Sequence, residues 1–282
     1  MKSGLLVGLY ALSLLRQRAG ETDDWIPAGR IIFVINADEE IGSPASTPVI
    51  EALSGGADVA LVLEGARPAG EIVTARAGML HLRVSIAGRA AHAGVEPEKG
   101  RSAVLEAAHV ILALDAMAQD RPGTSINVGE ARGGTRPNIV AAETTLTLDV
   151  RSSSAAEQDA VEAGIRALIA APTVPGTTAS VEVLARSRPL ERTAASASLV
   201  DLGGEIARGL GFALSETSSG GASDGNTTAG AGVPTLDGLG AIGGARHTAD
   251  EYLELDSLAP RTAWLAALIA ETGQRPGRAA QA

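Results

Sequence analysis

Two uninterrupted apolar runs rich in β-branched residues, "RIIFVINA" (30–37) and "DVALVLE" (58–64), constrain this chain most. A strand that is apolar at every position must be covered on both faces, as strands are in parallel sheets flanked by helices. Between the runs, residues 46–53 predict a short helix that Gly55 and Gly56 stop. The opening stretch "MKSGLLVGLYALSLLRQRAGE" could be a secretory signal, a membrane anchor or a buried helix. A membrane span needs about 20 apolar residues, and the run at 5–15 is shorter. Arg16 and Arg18 stand where a signal peptide would need small residues for cleavage. The spacings Leu5, Leu9, Leu12 and Leu6, Tyr10, Leu14 are helical, and the apolar residues cover most of the circumference. The expectation is therefore a helix buried on more than one side, and helix–strand–helix–strand predicts an α/β layer.

Near residue 74 the pattern changes. Leu80, Leu82, Val84 and Ile86 alternate with His81, Arg83 and Ser85, as in a half-exposed strand. A helix (102–117), two strands (125–131 and 140–151), a second helix (155–169) and a last strand (179–184) follow. This βαββαβ order predicts an inserted ferredoxin-like unit. From about residue 190 the α/β character returns, with helices at 197–210 and 257–271 around the loop "SSGGASDGN" and the short strand "VPTLDG". The expected organisation is a catalytic domain in two parts, 1–73 and 188–282, enclosing a lid or dimerisation domain at 74–187. The tail "GQRPGRAAQA" reads as disordered.

The chain has 282 residues, 45% of them hydrophobic and 20% charged, which is a globular composition. A formal charge of −10 leaves no basic surplus for a nucleic-acid backbone. With no cysteine, disulfides and thiolate metal sites are excluded. Without an export signal or a membrane span, the expected location is the cytoplasm.

Four stretches carry chemistry. In "NADEEIGS", Asp38, Glu39 and Glu40 follow the end of the first apolar run, where α/β sheets place ligand sites. Adjacent carboxylates repel unless a cation or a proton offsets them, although solvated acids at a strand end account for them equally simply. Glu64 ends the second run, and taken with Glu39 and Glu40 it suggests a convergent acidic cluster. His247, in "GGARHTADEY", adds an imidazole, and oxygen ligands with an imidazole suit zinc. His92, in "GRAAHAG", has small neighbours and could donate to a developing oxyanion, or be an exposed loop histidine. The loop "GGASDGNTTAG" lacks the lysine of a phosphate-binding loop, so Asp224 reads as a helix cap or a supporting group. Arg136, Asn138, Arg186 and Arg188 can hold a carboxylate, or be surface residues.

Taken in order, "MKSGL", "NADEEIGS", "LVLEGA", "GRAAHAGVEPEKG", "GGTRPNIVAAE", "GGASDGN" and "GARHTADEYLELDSL" resemble the zinc metallopeptidases typified by glutamate carboxypeptidase, acetylornithine deacetylase and aminoacylase. The glutamate carboxypeptidase branch is the nearest in flavour. The resemblance implies a two-zinc α/β domain with an inserted lid through which the chain forms a homodimer. It implies Glu39 as general base, Glu40, Glu64 and His247 as metal ligands, His92 at the transition state, and Asn138 and Arg188 on the substrate carboxylate. The substrate would be an N-acyl amino acid or a dipeptide-like molecule. In such proteins the "MKSGL" helix follows a metal-bridging aspartate, so the resemblance also implies a truncated domain that lacks its first strands and binds its two divalent ions more weakly. An inactive homologue that keeps only the dimerisation function is the alternative.

Overall fold

In the computed structural model, residues 2–21 and 29–274 are described; most of the tail read as disordered, from residue 275, lies outside them. The elements begin with α1 (Lys2–Glu21), α2 (Thr47–Ser54), β1 (Ala60–Leu61), β2 (Ile72–Arg76) and β3 (Gly78–Ala87). Next come α3 (Ala103–Gln119), β4 (Thr124–Gly133), β5 (Glu143–Ser152), α4 (Ala155–Ala170) and β6 (Thr178–Ser187). The chain continues through α5 (Ala194–Gly209), β7 (Glu216–Ser219), α6 (Asp224–Gly230), β8 (Thr235–Leu236), β9 (Gly243–Gly244), β10 (Tyr252–Leu253) and α7 (Leu258–Gly273). They fall into two compact units, Met1–Arg76 with Leu190–Ala282, and Ala77–Pro189.

The first unit is a mixed α/β layer. β1 pairs with β8 in parallel, and β2 pairs with β7 in parallel. Beyond β1 the backbone stays hydrogen-bonded to the 236–241 segment, through Val62 N to Leu236 O (2.8 Å), Gly240 N to Glu64 O (2.8 Å) and Ala66 N to Ala241 O (2.9 Å). Glycine is required at position 240, because a Cβ there would lie 2.8 Å from Glu64 O. The core gathers Val7, Ala11 and Leu15 of α1, Ile72, Leu236 and Leu239, and Trp264, Leu265 and Leu268 of α7.

Three expectations fail in this unit. Residues 30–37 form no strand, and Ile31, Ile32, Val34 and Ile35 are exposed. A strand persists only where a neighbour takes its backbone hydrogen bonds, and among the described residues none pairs with this run. Helix α1 is buried along one side only, with Leu6, Leu9, Tyr10 and Leu14 exposed. Its inner side lies so close to the 60–66 segment that a Cβ at Gly4 would meet Leu63 O. The helix α6 in the loop "GGASDGNTTAG" is capped by Ser223 rather than Asp224, through a capping box in which Ser223 and Asn226 bond each other's backbone. No described helix is long and apolar enough to cross a membrane.

The second unit is one antiparallel sheet in the order β4-β5-β3-β6, with α3 and α4 on one face. β3 pairs with β5 from Gly78↔Ser152 to Ala87↔Glu143. Leu80, Leu82, Val84 and Ile86 on β3 join Leu146, Leu148 and Val150 on β5 under Val110, Leu114, Val161 and Ile165 of the helices. Ser102 and Ser154 cap the two helices, each accepting from the backbone N–H three residues on.

Candidate active site

The acidic motif is a tight turn. Residues 39–41 form a single 3₁₀ turn, closed by Gly42 N to Glu39 O (2.8 Å) with Gly42 at φ 89. Asp38 is consumed in holding this turn. Its carboxylate accepts from the backbone N–H of Ala45 (2.7 Å) and Ser46 (3.1 Å) and from the Ser46 hydroxyl. The Ser46 hydroxyl and those backbone donors keep the Asp38 carboxyl below its usual range. Glu39 and Glu40 are left free of that task, Glu40 exposed and Glu39 less so.

Glu39 is half-buried, and its carboxyl is pushed up to about 7 by burial first, then by the charges of Glu64, Glu40 and Asp224. Glu64 is also raised, by burial and by Asp237, against the opposing pull of Arg76 and Arg246. These four carboxyl groups share one neighbourhood. Such perturbation in a charged cluster marks functional sites more often than chance.

His247 approaches the same turn, its Nδ1 lying 3.8 Å from Glu40 Oε2 with both side chains exposed. Ser43, Ala245 and His247 are the non-glycine residues with positive φ among the described residues, at 52°, 52° and 62°. All three lie in the two loops that carry Glu40 and His247. Left-handed backbone at non-glycine residues costs of order 1–3 kcal/mol each and persists where the surroundings impose it, often at active sites.

A largely buried network that sequence reasoning singled out only through Asp224, read as a possible supporting group, lies behind this cluster. Arg76 Nε bonds Asp237 Oδ2 at 2.6 Å, with both side chains almost wholly buried. Ser223 Oγ donates to the same Asp237 oxygen (2.5 Å), and Arg76 Nη1 donates to Gly221 O (2.8 Å). Asp224 accepts from Ser43 Oγ (2.5 Å) and Asn36 Nδ2 (2.6 Å). The available signal was a charge inside an apolar strand: Asp237 in "VPTLDG".

In the second unit, the loops after β3 and after β4 pair with each other. His92 and Ile139 form an antiparallel bridge, and Ala93 N donates to Asn138 O (3.0 Å). The structure thus brings His92 and Asn138 together, both exposed. Arg188 is not with them. It follows β6 at the end of the sheet where Met79 pairs with Ser187, about 30 Å along β3 from the His92 loop at 3.3 Å per residue. Its guanidinium donates to Asp159 Oδ1 (2.6 Å) and Gln158 Oε1 (3.1 Å).

Among the described residues, no group of three His, Asp or Glu side chains is placed to hold a metal ion. Glu40 and His247 supply two donors of the right chemistry, but a zinc site takes three or four. The residues as they stand do not complete such a site, and Glu64 lies outside any three-donor group.

The comparisons with known proteins point to hydrolases of the peptidase class. Residues 74–177 match the family described as "Peptidase dimerisation domain". The chain is 29% identical over 276 residues to carboxypeptidase G2 of Pseudomonas sp. (strain RS-16), covering 96% of this chain and 65% of that one. It is 29% identical over 275 residues to the uncharacterized protein YqjE of Bacillus subtilis (strain 168), covering 97% and 71%. The crystal structure of aminopeptidase PepT from Bacillus cereus ATCC 10987 superposes with a TM-score of 0.75 at 28% identity, over 97% of this chain and 71% of that one. The chain is thus similar to peptidases and related hydrolases over most of its length, with residues 74–177 matching the peptidase dimerisation domain, and it spans about two thirds of the length of carboxypeptidase G2.

Proposed function

We propose that this protein hydrolyses the amide bond between an acyl group and an amino acid that carries a free carboxylate. The carrying observation is the meeting of Glu39, Glu40 and His247 at one turn, with the Glu39 carboxyl pushed up to about 7 by burial and then by its acidic neighbours. A carboxylate that titrates near pH 7 is matched to proton transfer at physiological pH. Glu39 takes a proton from the attacking water as its oxygen bonds to the carbonyl carbon. It returns that proton to the nitrogen as the C–N bond breaks, releasing a carboxylic acid and an amino acid.

Divalent cations, zinc by donor chemistry, are the proposed cofactor, with Glu40, Glu64 and His247 as this chain's contribution and further donors needed to complete the set. In the second unit, whose βαββαβ order we read as a ferredoxin-like lid and dimerisation domain, His92 serves the oxyanion and Asn138 the substrate carboxylate. Arg188 joins that role only if it leaves Asp159. The family match over residues 74–177 supports a homodimer. Neither the relatives nor the structural neighbour favours an inactive copy.

The test is hydrolysis of a panel of N-acyl amino acids and dipeptides, with and without added zinc or chelator. Chelator-sensitive release of the free amino acid is the expected result. Absence of turnover on every substrate with zinc present overturns the reading. Arg188→Ala with an unchanged KM removes Arg188 from the site.

A further inference from the structure

We infer that Asp224 is a positioning residue for the Glu39–Glu40 turn: its carboxylate clamps Asn36 and Ser43, the two residues that bracket the turn, onto the rigid base formed by Arg76 and Asp237. The inference rests on the hydrolase reading only for its effect on rate.

The turn has good internal bonds, but among the described residues no sheet fixes it in place. Ile41 N and Ser43 N both return to Asp38 O, and the Asp38 side chain holds residues 45 and 46. These bonds shape the turn without anchoring it. The preceding run, 30–37, pairs with no strand among the described residues, so backbone ladder bonds cannot supply the anchor. Asp224 spends both oxygens there instead: Oδ1 on Ser43 Oγ at 2.5 Å and Oδ2 on Asn36 Nδ2 at 2.6 Å. Hydrogen bonds to an ionised acceptor are shorter and stronger than neutral ones.

The Asp224 carboxylate is not needed to start its own helix. Ser223 is the N-cap of α6, and its capping box with Asn226 is complete without Asp224. Nor is the base of the clamp loose. Ser223 is tied to Asp237, Asp237 to Arg76, and Arg76 to the carbonyl of Gly221. One continuous set of contacts therefore runs from the end of β2, through the 221–224 loop, to both flanks of the turn. A shift of about 1 Å at a reacting group can cost about 10²-fold in rate.

The experiment compares Asp224→Ala, Asp224→Asn and Ser43→Ala in the full chain with zinc added and N-benzoyl-L-glutamate as probe. Hydrogen exchange of the 36–46 peptide is followed in parallel. Asp224→Ala should lower kcat by about 10- to 100-fold with KM within about twofold, and should speed exchange at 36–46. Asp224→Asn should be largely rescued, because its oxygen can accept from Asn36 while its NH₂ donates to the Ser43 hydroxyl. The double variant Ser43→Ala/Asp224→Ala should be no worse than Asp224→Ala alone, since the two share a contact. An Asn variant as impaired as the Ala variant, or an Ala variant with unchanged kcat and exchange, overturns the clamp. Should Asp224→Ala fail to fold, Asn36→Ala and Ser43→Ala carry the exchange measurement, and unchanged exchange in both overturns the clamp. If the unmodified protein turns over no substrate, it is the hydrolase reading that fails, and exchange alone decides the clamp.

Discussion

Glu39 is half-buried among charges of its own sign, and the cost of that placement depends on pH. Its folded-state pKa, about 7, lies above its unfolded value of 4.5. Between those values the folded state holds more protons than the unfolded one, so stability falls as pH rises through that window. Glu39→Gln removes this penalty. The variant should match the parent near pH 4 and exceed it at pH 8 by about 1–2 kcal/mol, allowing for solvent screening of a half-exposed group. Urea unfolding at the two pH values measures the difference, and equal stability at pH 8 refutes it. The same variant should lose at least about 10²-fold in turnover if Glu39 is the base. The sequence made the run of Asp38, Glu39 and Glu40 visible, and the resemblance gave Glu39 and Glu40 separate roles, but nothing in it told what Asp38 does. Asp38 is used up as a turn cap because Ala45 and Ser46 fold back onto it, a contact that no spacing rule reports. The Arg76–Asp237 pair was illegible for a related reason, since its members are separated by 161 residues. Breaking a buried pair leaves an uncompensated charge, so Asp237→Ala should cost about 3–5 kcal/mol, measurable by urea unfolding. A loss below about 1 kcal/mol would show that water reaches Arg76.

At the scale of elements, legibility followed how far each pattern depended on partners. Strand β3 was plain from Leu80, Leu82, Val84 and Ile86, because alternation needs only one covered face, and α3 and α4 cover it. The run 30–37 misled, because continuous apolarity states what a segment requires and not what lies beside it. Helix α1 misled in the same way: its register was readable and its cover was not. Connections between elements were the least legible. Glu106, buried on α3, accepts from the backbone N–H of Thr173 (3.1 Å) and Val174 (2.6 Å), holding the segment between α4 and β6 with two charge-assisted bonds. Its removal orphans two donors. Glu106→Ala should therefore destabilise the chain by about 2–4 kcal/mol, and Glu106→Gln, which keeps one acceptor oxygen, by about half that. Equal losses in the two variants would mean that packing around the side chain, rather than acceptance, is what matters.

At the scale of the whole molecule, the first unit exposes large apolar side chains on α1 and at consecutive positions of the 30–37 run. Leu6, Leu9, Tyr10 and Leu14 on α1 are exposed, as are Ile31, Ile32, Val34 and Ile35 in a run that pairs with no strand among the described residues, and Phe33 reaches toward Gly8 of the helix. Scattered exposed leucines are ordinary, but a run of neighbours beside an apolar helix face is not. Unpaired backbone next to such side chains is also a template for another chain. The chain in isolation should bind a hydrophobic dye and self-associate through this region, on top of any dimer formed through residues 74–177. Ile35, at 60% exposed, is the place to test this, because a lysine there meets water rather than core. Ile35→Lys should lower dye fluorescence and the mass of the larger assemblies in light scattering, while leaving the melting temperature within about 2 °C, as surface substitutions usually do. A dimer formed through the second unit should survive the substitution. If dye binding and assembly size do not change, the run is covered in solution, and the apolar face must already be occupied.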